Sequence, residues 1–292
     1  MSTTTAQNSP ARPTSSQRPT ARKQRRGAGA SRWAVLGTQA AIVVVLVASW
    51  ESLVRAGALD PLLYGQPSRI VEQLVFWVTE GTPNGSLGTQ ILITLEEALI
   101  GFAIGTALGI VFGVGLGRID FLARVCGPFI KVVNAIPRIV LGASFVVMFG
   151  LGLMSKVMLV IVLVFFGVFF NAFQGTREVD RNFIANAQIL GASPWQVTTK
   201  VVIPSAFSWI IASLHVAFGF ALIGAIVGEF LGSQMGLGNL IRQAQGNLNQ
   251  NAIWAAMLIM AVVALVAEWL ITKLEHRLLR WRPPQRSGGA EA

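Results

Sequence analysis

Charge is what this sequence has least of. Only 12% of its 292 residues are Asp, Glu, Lys or Arg, about half the share of an ordinary soluble domain. Hydrophobic residues make up 53%, and mean hydropathy is +0.61. Cysteine is nearly absent. The single Cys126 excludes an internal disulfide and any cysteine-rich metal site, and reads as a packing residue. No G-x-x-x-x-G-K-[S/T] phosphate loop and no H-E-x-x-H metal motif occur, so nucleotide hydrolysis and zinc chemistry of those kinds are not encoded. The apolar residues run on without alternation, which excludes a transmembrane β-barrel. What remains is an all-α, polytopic membrane protein.

Six transmembrane helices are expected at about 33–54, 89–117, 128–152, 156–174, 205–231 and 252–275, from run length and flanking charge. Residues 1–32 hold Ser, Thr, Pro and Arg but no acid. Pro10, Pro13 and Pro19 spoil an amphipathic transit helix, so this segment reads as a disordered basic cytoplasmic tail. A cleaved leader ending near Ala56-Gly57-Ala58 is the alternative. Residues 282–292 read as a second disordered tail. Placing the N-terminus in the cytoplasm puts 18 of the 23 basic residues on that side. Both termini are therefore expected inside. The net charge of +10 then reflects topology and attraction to anionic lipid, and calls for no nucleic acid.

Between the first two spans, within the unit 33–88, Pro67-Ser68 can start a helix. Ile70, Val71, Leu74, Val75 and Val78 follow at helical spacing, which predicts an extracytoplasmic amphipathic helix serving as a packing lid or a partner contact. In the second span Gly101, Gly105, Gly109, Gly113 and Gly117 recur every four residues. Such a stripe lets helices approach closely, within the chain or between subunits.

Ionisable groups in hydrocarbon are expensive, so a few polar residues stand out. Arg138 follows Pro137 in the third span, with Asn134 one turn away. It either faces an aqueous path or is a structural arginine. Glu229 near the outer end of the fifth span either pairs with Arg138 or lines an outer gate. His215 reads as a satisfied core histidine. Glu96 and Glu97 read as belonging to an outer interface or a helix start.

The most patterned polar stretch is 176–204, TREVDRNFIANAQILGASPWQVTTKVVIP. Asp180 is a good N-cap. Phe183, Ile184, Ala187 and Leu190 make one apolar stripe. Gly191 sits where a helix ends in a left-handed turn. Ser193-Pro194 restarts a helix, with Trp195, Val197 and Val201 on a new apolar side, and Pro204 ends the unit. The expected element is helix–glycine–helix, with its tip at Gln188 to Gln196 facing the cytoplasm.

GASPWQ followed by VVIP resembles the cytoplasmic loop of ABC-importer permeases of the binding-protein-dependent class. Ala187, Gly191, Val201, Ile203 and Pro204 match the loop pattern, with the glycine-to-proline spacing kept. The resemblance runs roughly from Thr89 to Trp281. It includes NAIPRIVLGASFVVMFGLG, FFNAFQGTREVD and GEFLGSQMGLGNLI, which are similar to the nitrate/sulfonate/taurine branch. There are departures. The usual loop Glu is Ala185, the first Ala is Asn186, and an Ala-Pro pair of the third span is Gly142-Ala143.

The resemblance implies a permease domain over 89–281, acting as a homodimer on two cytoplasmic ATPase subunits. It implies docking through Ala185, Asn186, Ala187, Gln188, Gly191, Ala192, Ser193, Pro194, Trp195 and Gln196. An extracytoplasmic binding protein would deliver substrate. ATP and Mg would belong to the partner ATPase, with no cofactor on this chain. The substrate implied is a small anion of sulfonate, taurine or nitrate type, for which Arg138 is suited. A vitamin precursor is the alternative within the class. An ion-coupled secondary transporter is the alternative outside it, although no internal repeat is evident.

Overall fold

The computed structural model describes residues 32–278. The tails expected at 1–32 and 282–292 lie outside them, except for Arg32, the first residue of helix α1 (Arg32–Arg55). Residues up to Ala48 and those from Ser49 onward form two separate compact units. In the first, the side chains of residues 33–48 are exposed all round the helix. The helix is apolar on every side, as suits one surrounded by lipid.

The second unit is entirely helical apart from turns and one isolated bridge, among the described residues. After the end of α1 come α2 (Pro61–Tyr64), α3 (Pro67–Thr79), α4 (Leu87–Arg118) and α5 (Asp120–Ala135). A 3₁₀ turn (Arg138–Val140) leads into α6 (Leu141–Phe149), then α7 (Leu153–Arg177), α8 (Arg181–Ile189) and α9 (Pro194–Val197). The chain ends with α10 (Ile203–Gly232), α11 (Leu237–Gly246) and α12 (Gln250–Leu278).

Five helical stretches are long and apolar enough to cross a membrane, and the bent pair α5–α6 makes a sixth crossing if counted as one. The third expected span therefore needs correction. It is not one helix over 128–152 but two, bent by 67° at Ile136-Pro137. The residue before a proline is pushed out of the helical region, and Ile136 lies at ψ 128°. The start is also earlier than expected, because Pro128 is accommodated inside α5.

The centre of the unit is the seam between α4 and α7. The glycine stripe makes it possible. Gly105 faces Val164, Gly109 faces Val168, Gly113 faces Ala172 and Gly117 faces Thr176, in constant register along two parallel helices, and Gly101 begins the series on Val160. A Cβ on Gly113 would lie 2.7 Å from both Ala172 Cβ and Phe169 O. The stripe thus serves packing within the chain. α10 packs against both helices, bringing Gly224 against Val160 and Gly228 against Lys156. The buried core of Ala98, Val160, Val164, Val168, Ala217, Phe218 and Ala221 lies among these three helices.

The expected amphipathic helix is α3. Its apolar residues divide between two surroundings. Ile70 and Trp77 are buried with Leu237, Leu240 and Ala255 of α11 and α12, whereas Val71, Val75 and Val78 stay exposed. Glu51 caps its start, accepting from Ser68 N at 3.0 Å, Ser68 Oγ at 2.9 Å and Gln66 Nε2 at 2.7 Å.

Candidate functional site

The patterned segment folds into a built element at one end of the bundle. Asp180 caps α8 by accepting from Asn182 N at 2.9 Å. The C-terminus of α8 closes in a Schellman motif. Gly191 N donates to Gln188 O at 2.9 Å, Ala192 N donates to Ala187 O at 3.0 Å, and Gly191 takes φ +84°. Ser193 then opens α9 with a reciprocal capping box. Its Oγ accepts from Gln196 N at 3.3 Å, and its own N donates to Gln196 Oε1 at 2.8 Å. Pro194 occupies the first turn of α9. Two stop-start signals in five residues define the turn between α8 and α9.

The element has two faces. Val179, Val197 and Val202 are buried, with Ile184, Ala187, Ala192 and Val201 packed around them. Arg118, the last residue of α4, donates from Nε to Thr198 Oγ1 at 3.1 Å, tying the element to the seam. The other face carries Phe183, Ile189, Leu190 and Trp195, the last three 83%, 87% and 75% exposed. The expected single apolar stripe is thereby split, with Phe183 and Leu190 exposed and Ile184 and Ala187 on the packed side. Trp195 is likewise separated from buried Val197. Ala185, Asn186, Gln188, Gly191, Ser193, Pro194 and Gln196 share the exposed side.

A second correction concerns Pro204, expected to end the unit. Helix runs unbroken from Pro194 to Gly232. Between α9 and α10 the chain makes a π-turn over Thr198–Val202, in which Ile203 N donates to Thr198 O. Pro204 then falls in the first turn of α10, and this wider register absorbs its missing N–H. The element is therefore continuous with a long helix.

The pathway candidates Asn134, Pro137 and Arg138 come together at the bend between α5 and α6. The Arg138 guanidinium donates to Asn134 Oδ1 and lies 4.8 Å over the Phe166 ring of α7. Its Nε is buried without a partner. Glu229 is not part of this group, contrary to the expected pairing. It is fully buried on α10, accepting from Thr94 Oγ1 at 2.7 Å and Gly238 N at 2.6 Å. Glu97 and Lys156 are buried beside it. Sequence reasoning read Glu97 as belonging to an outer interface or a helix start and did not single out Lys156. The signal it passed over was spacing, since Glu97 stands four residues before Gly101 on the stripe that faces α7. His215 Nδ1 meets Glu268 Oε1 at 2.7 Å, which satisfies it as expected.

Comparison with known proteins places this arrangement. The family model for binding-protein-dependent transport system inner membrane components matches residues 105–280. The chain is 29% identical to the aliphatic sulfonates transport permease SsuC of Bacillus subtilis (strain 168), over 82% of this chain and 85% of that one. It is 28% identical to the riboflavin transport system permease RibX of Chloroflexus aurantiacus, over 85% and 91%. Against the taurine transport system permease TauC of Escherichia coli (strain K12) it is 25% identical, over 82% and 87%. The fold is similar to a solved inward-facing structure of the MetNI methionine ABC transporter, with TM-score 0.57 and 19% identity, over 66% of this chain and 94% of that one. The chain belongs to the family of binding-protein-dependent transport system inner membrane components.

Proposed function

We propose that this chain is the pathway-forming permease of an ATP-driven importer, and that α8–α9 is the coupling element seated in a cytoplasmic ATPase. The observation that carries this is the exposed apolar ridge of Ile189, Leu190 and Trp195 on a rigid, doubly capped platform fused to α10. Large exposed apolar side chains on an ordered tip mark a partner surface. The ATPase binds and hydrolyses ATP with Mg. Its closure moves the platform, and the helix running unbroken from Pro194 to Gly232 carries the movement toward the opposite end of the bundle. Two copies of the chain enclose the pathway, and an extracytoplasmic binding protein loads it. Both termini lie in the cytoplasm, as the distribution of basic residues supports.

The substrate proposed is a small organic or inorganic anion. Arg138 lies at the α5–α6 bend. Nearer the coupling end, a cavity of about 580 Å³ between α5, α7 and α10 carries Arg124, Lys131 and Arg177. Basic walls of one sign concentrate anions. The named sulfonate and taurine permeases agree with this class, while the riboflavin relative supports a vitamin-type cargo as the second reading. The test is co-purification with an ATPase, followed by substrate-stimulated ATP hydrolysis in liposomes containing the binding protein. Uptake driven by a proton or sodium gradient without hydrolysis would sink the proposal.

Gly191 offers a sharper check. A Cβ there would meet nothing within 4 Å, so a substitution acts only through φ +84°. The left-handed conformation costs an ordinary L-residue about 1–2 kcal/mol, least for asparagine. Gly191→Val is expected to insert normally yet uncouple hydrolysis from transport, with Gly191→Asn close to wild type. Normal uptake by the valine variant would refute the geometry assigned to this turn.

A further inference from the structure

At the end of the bundle opposite the coupling element, three helices bring ionisable side chains together. Glu97 of α4, Lys156 of α7 and Glu229 of α10 are 3%, 2% and 0% exposed. Donors converge on Glu229. Its Oε1 accepts from Thr94 Oγ1 and its Oε2 from Gly238 N. Glu97 stands one turn before Gly101 on the stripe that faces α7, and Gly228 of α10 packs on Lys156, so the glycine register brings both side chains into the site of Glu229.

Two carboxyl groups buried at one site with a single ammonium do not both ionise, so one of them carries a proton. The donors say which one. Glu229 has two fixed protein donors, whereas Glu97 Oε2 is buried with no partner. Leaving an ionised oxygen bare in the interior is far more costly than leaving the carbonyl oxygen of a neutral acid. Charge counting agrees. Two carboxylates and one ammonium leave one uncompensated negative charge, and one proton brings the trio to zero.

We propose that Glu97 holds a structural proton and that the trio is a proton-dependent latch across α4, α7 and α10. The latch reaches two turns. Lys156 Nζ donates to Leu151 O in the turn before α7. Glu229 holds the Gly236–Gly238 turn before α11, where Gln90 Oε1 and Thr94 Oγ1 also accept from Gly236 N at 2.7 Å and Leu237 N at 3.0 Å. A cavity of about 480 Å³ lined by Glu96, Glu97, Leu151 and Ser233 lies alongside and gives water a route. Glu96 is the other charged group facing that cavity. Arg242 of α11 is engaged elsewhere, with Ser233 O and Asn239 Oδ1, and α6 carries no charge. Loss of the proton sets two carboxylates against one ammonium, which repels α4 from α10 and frees both turns. The site stands independently of the transport reading. Only its exposure to external rather than cytoplasmic acidity rests on the orientation proposed above.

The test uses the full chain in lipid nanodiscs. Infrared spectra at neutral pH are expected to contain a protonated-carboxyl band that shifts in D₂O and is lost in Glu97→Gln. A proton held in the folded state gives stability that is present at low pH and lost as pH rises. The melting temperature of the wild type should therefore fall with rising pH through a step that Glu97→Gln removes. Lys156→Met should lower the melting temperature by several degrees, and Lys156→Met with Glu229→Gln should recover most of it. A band unaffected by Glu97→Gln, a wild-type pH step in that variant, or a double variant no better than Lys156→Met alone would each overturn the proposal. None of these readouts needs an ATPase or a substrate, so their failure leaves the transport reading untouched.

Discussion

Trp195→Ala is expected to weaken the permease–ATPase complex by about 2–4 kcal/mol, roughly thirtyfold to several hundredfold in Kd. The reason lies in how this side chain is presented. It is 75% exposed on a helix whose first turn is fixed by Pro194 and by the Ser193–Gln196 capping box. A large aromatic on a pre-ordered support loses little entropy on docking, which is the usual makeup of an interface hot spot. Alanine keeps the cap, the Schellman turn and the buried cluster around Val197. The melting temperature of the isolated chain should therefore move little. Titration of the solubilised variant with its ATPase checks the prediction, and unchanged affinity would remove Trp195 from the docking surface. The missing loop glutamate, replaced by Ala185, shifts the expected weight of docking from charge to this apolar ridge.

Gly113→Ala should destabilise the fold by about 1–3 kcal/mol, although alanine is ordinarily the better helix former. The added Cβ would stand 2.7 Å from Ala172 Cβ and 2.7 Å from the Phe169 carbonyl oxygen. Backbone cannot rotate away as a long side chain can, so α4 and α7 must separate. Gly115→Ala, two residues along the same helix, meets nothing within 4 Å and should be neutral or mildly stabilising. Thermal unfolding of the two variants in the same detergent separates packing from propensity. Equal melting temperatures would show that the seam is looser than its register implies. Ala172→Gly should restore part of the loss in Gly113→Ala, because it removes one of the two clashes.

These predictions sit at different distances from the sequence. The helical class, the crossings other than the third and the glycine stripe were legible, because each follows from run length or a fixed spacing along one helix. The loop was legible for the same reason. Asp180, Gly191 and Ser193-Pro194 are local signals, and the turn each one specifies depends on the residues within about one helical turn. The third span was misread because hydropathy registers how apolar a segment is and not its direction. Ile136-Pro137 turned one apolar run into two helices at 67°. Pro204 was misread in the opposite sense, since a π-turn let the helix pass a residue that ordinarily breaks it.

By itself the sequence determined that this is a helical membrane protein with a capped helix–Gly191–helix element and a helix able to approach another closely. Those properties depend on chemistry within a few residues. Tertiary structure alone decided which helix meets the stripe, that Phe183, Leu190 and Trp195 face outward, that Arg138 rests on Phe166, and that Glu97, Lys156 and Glu229 share one buried site. Glu97 and Glu229 lie far apart in the chain, and no local pattern links them. They meet because α4, α7 and α10 each pack against the other two, and burial then forces their charges to be settled together.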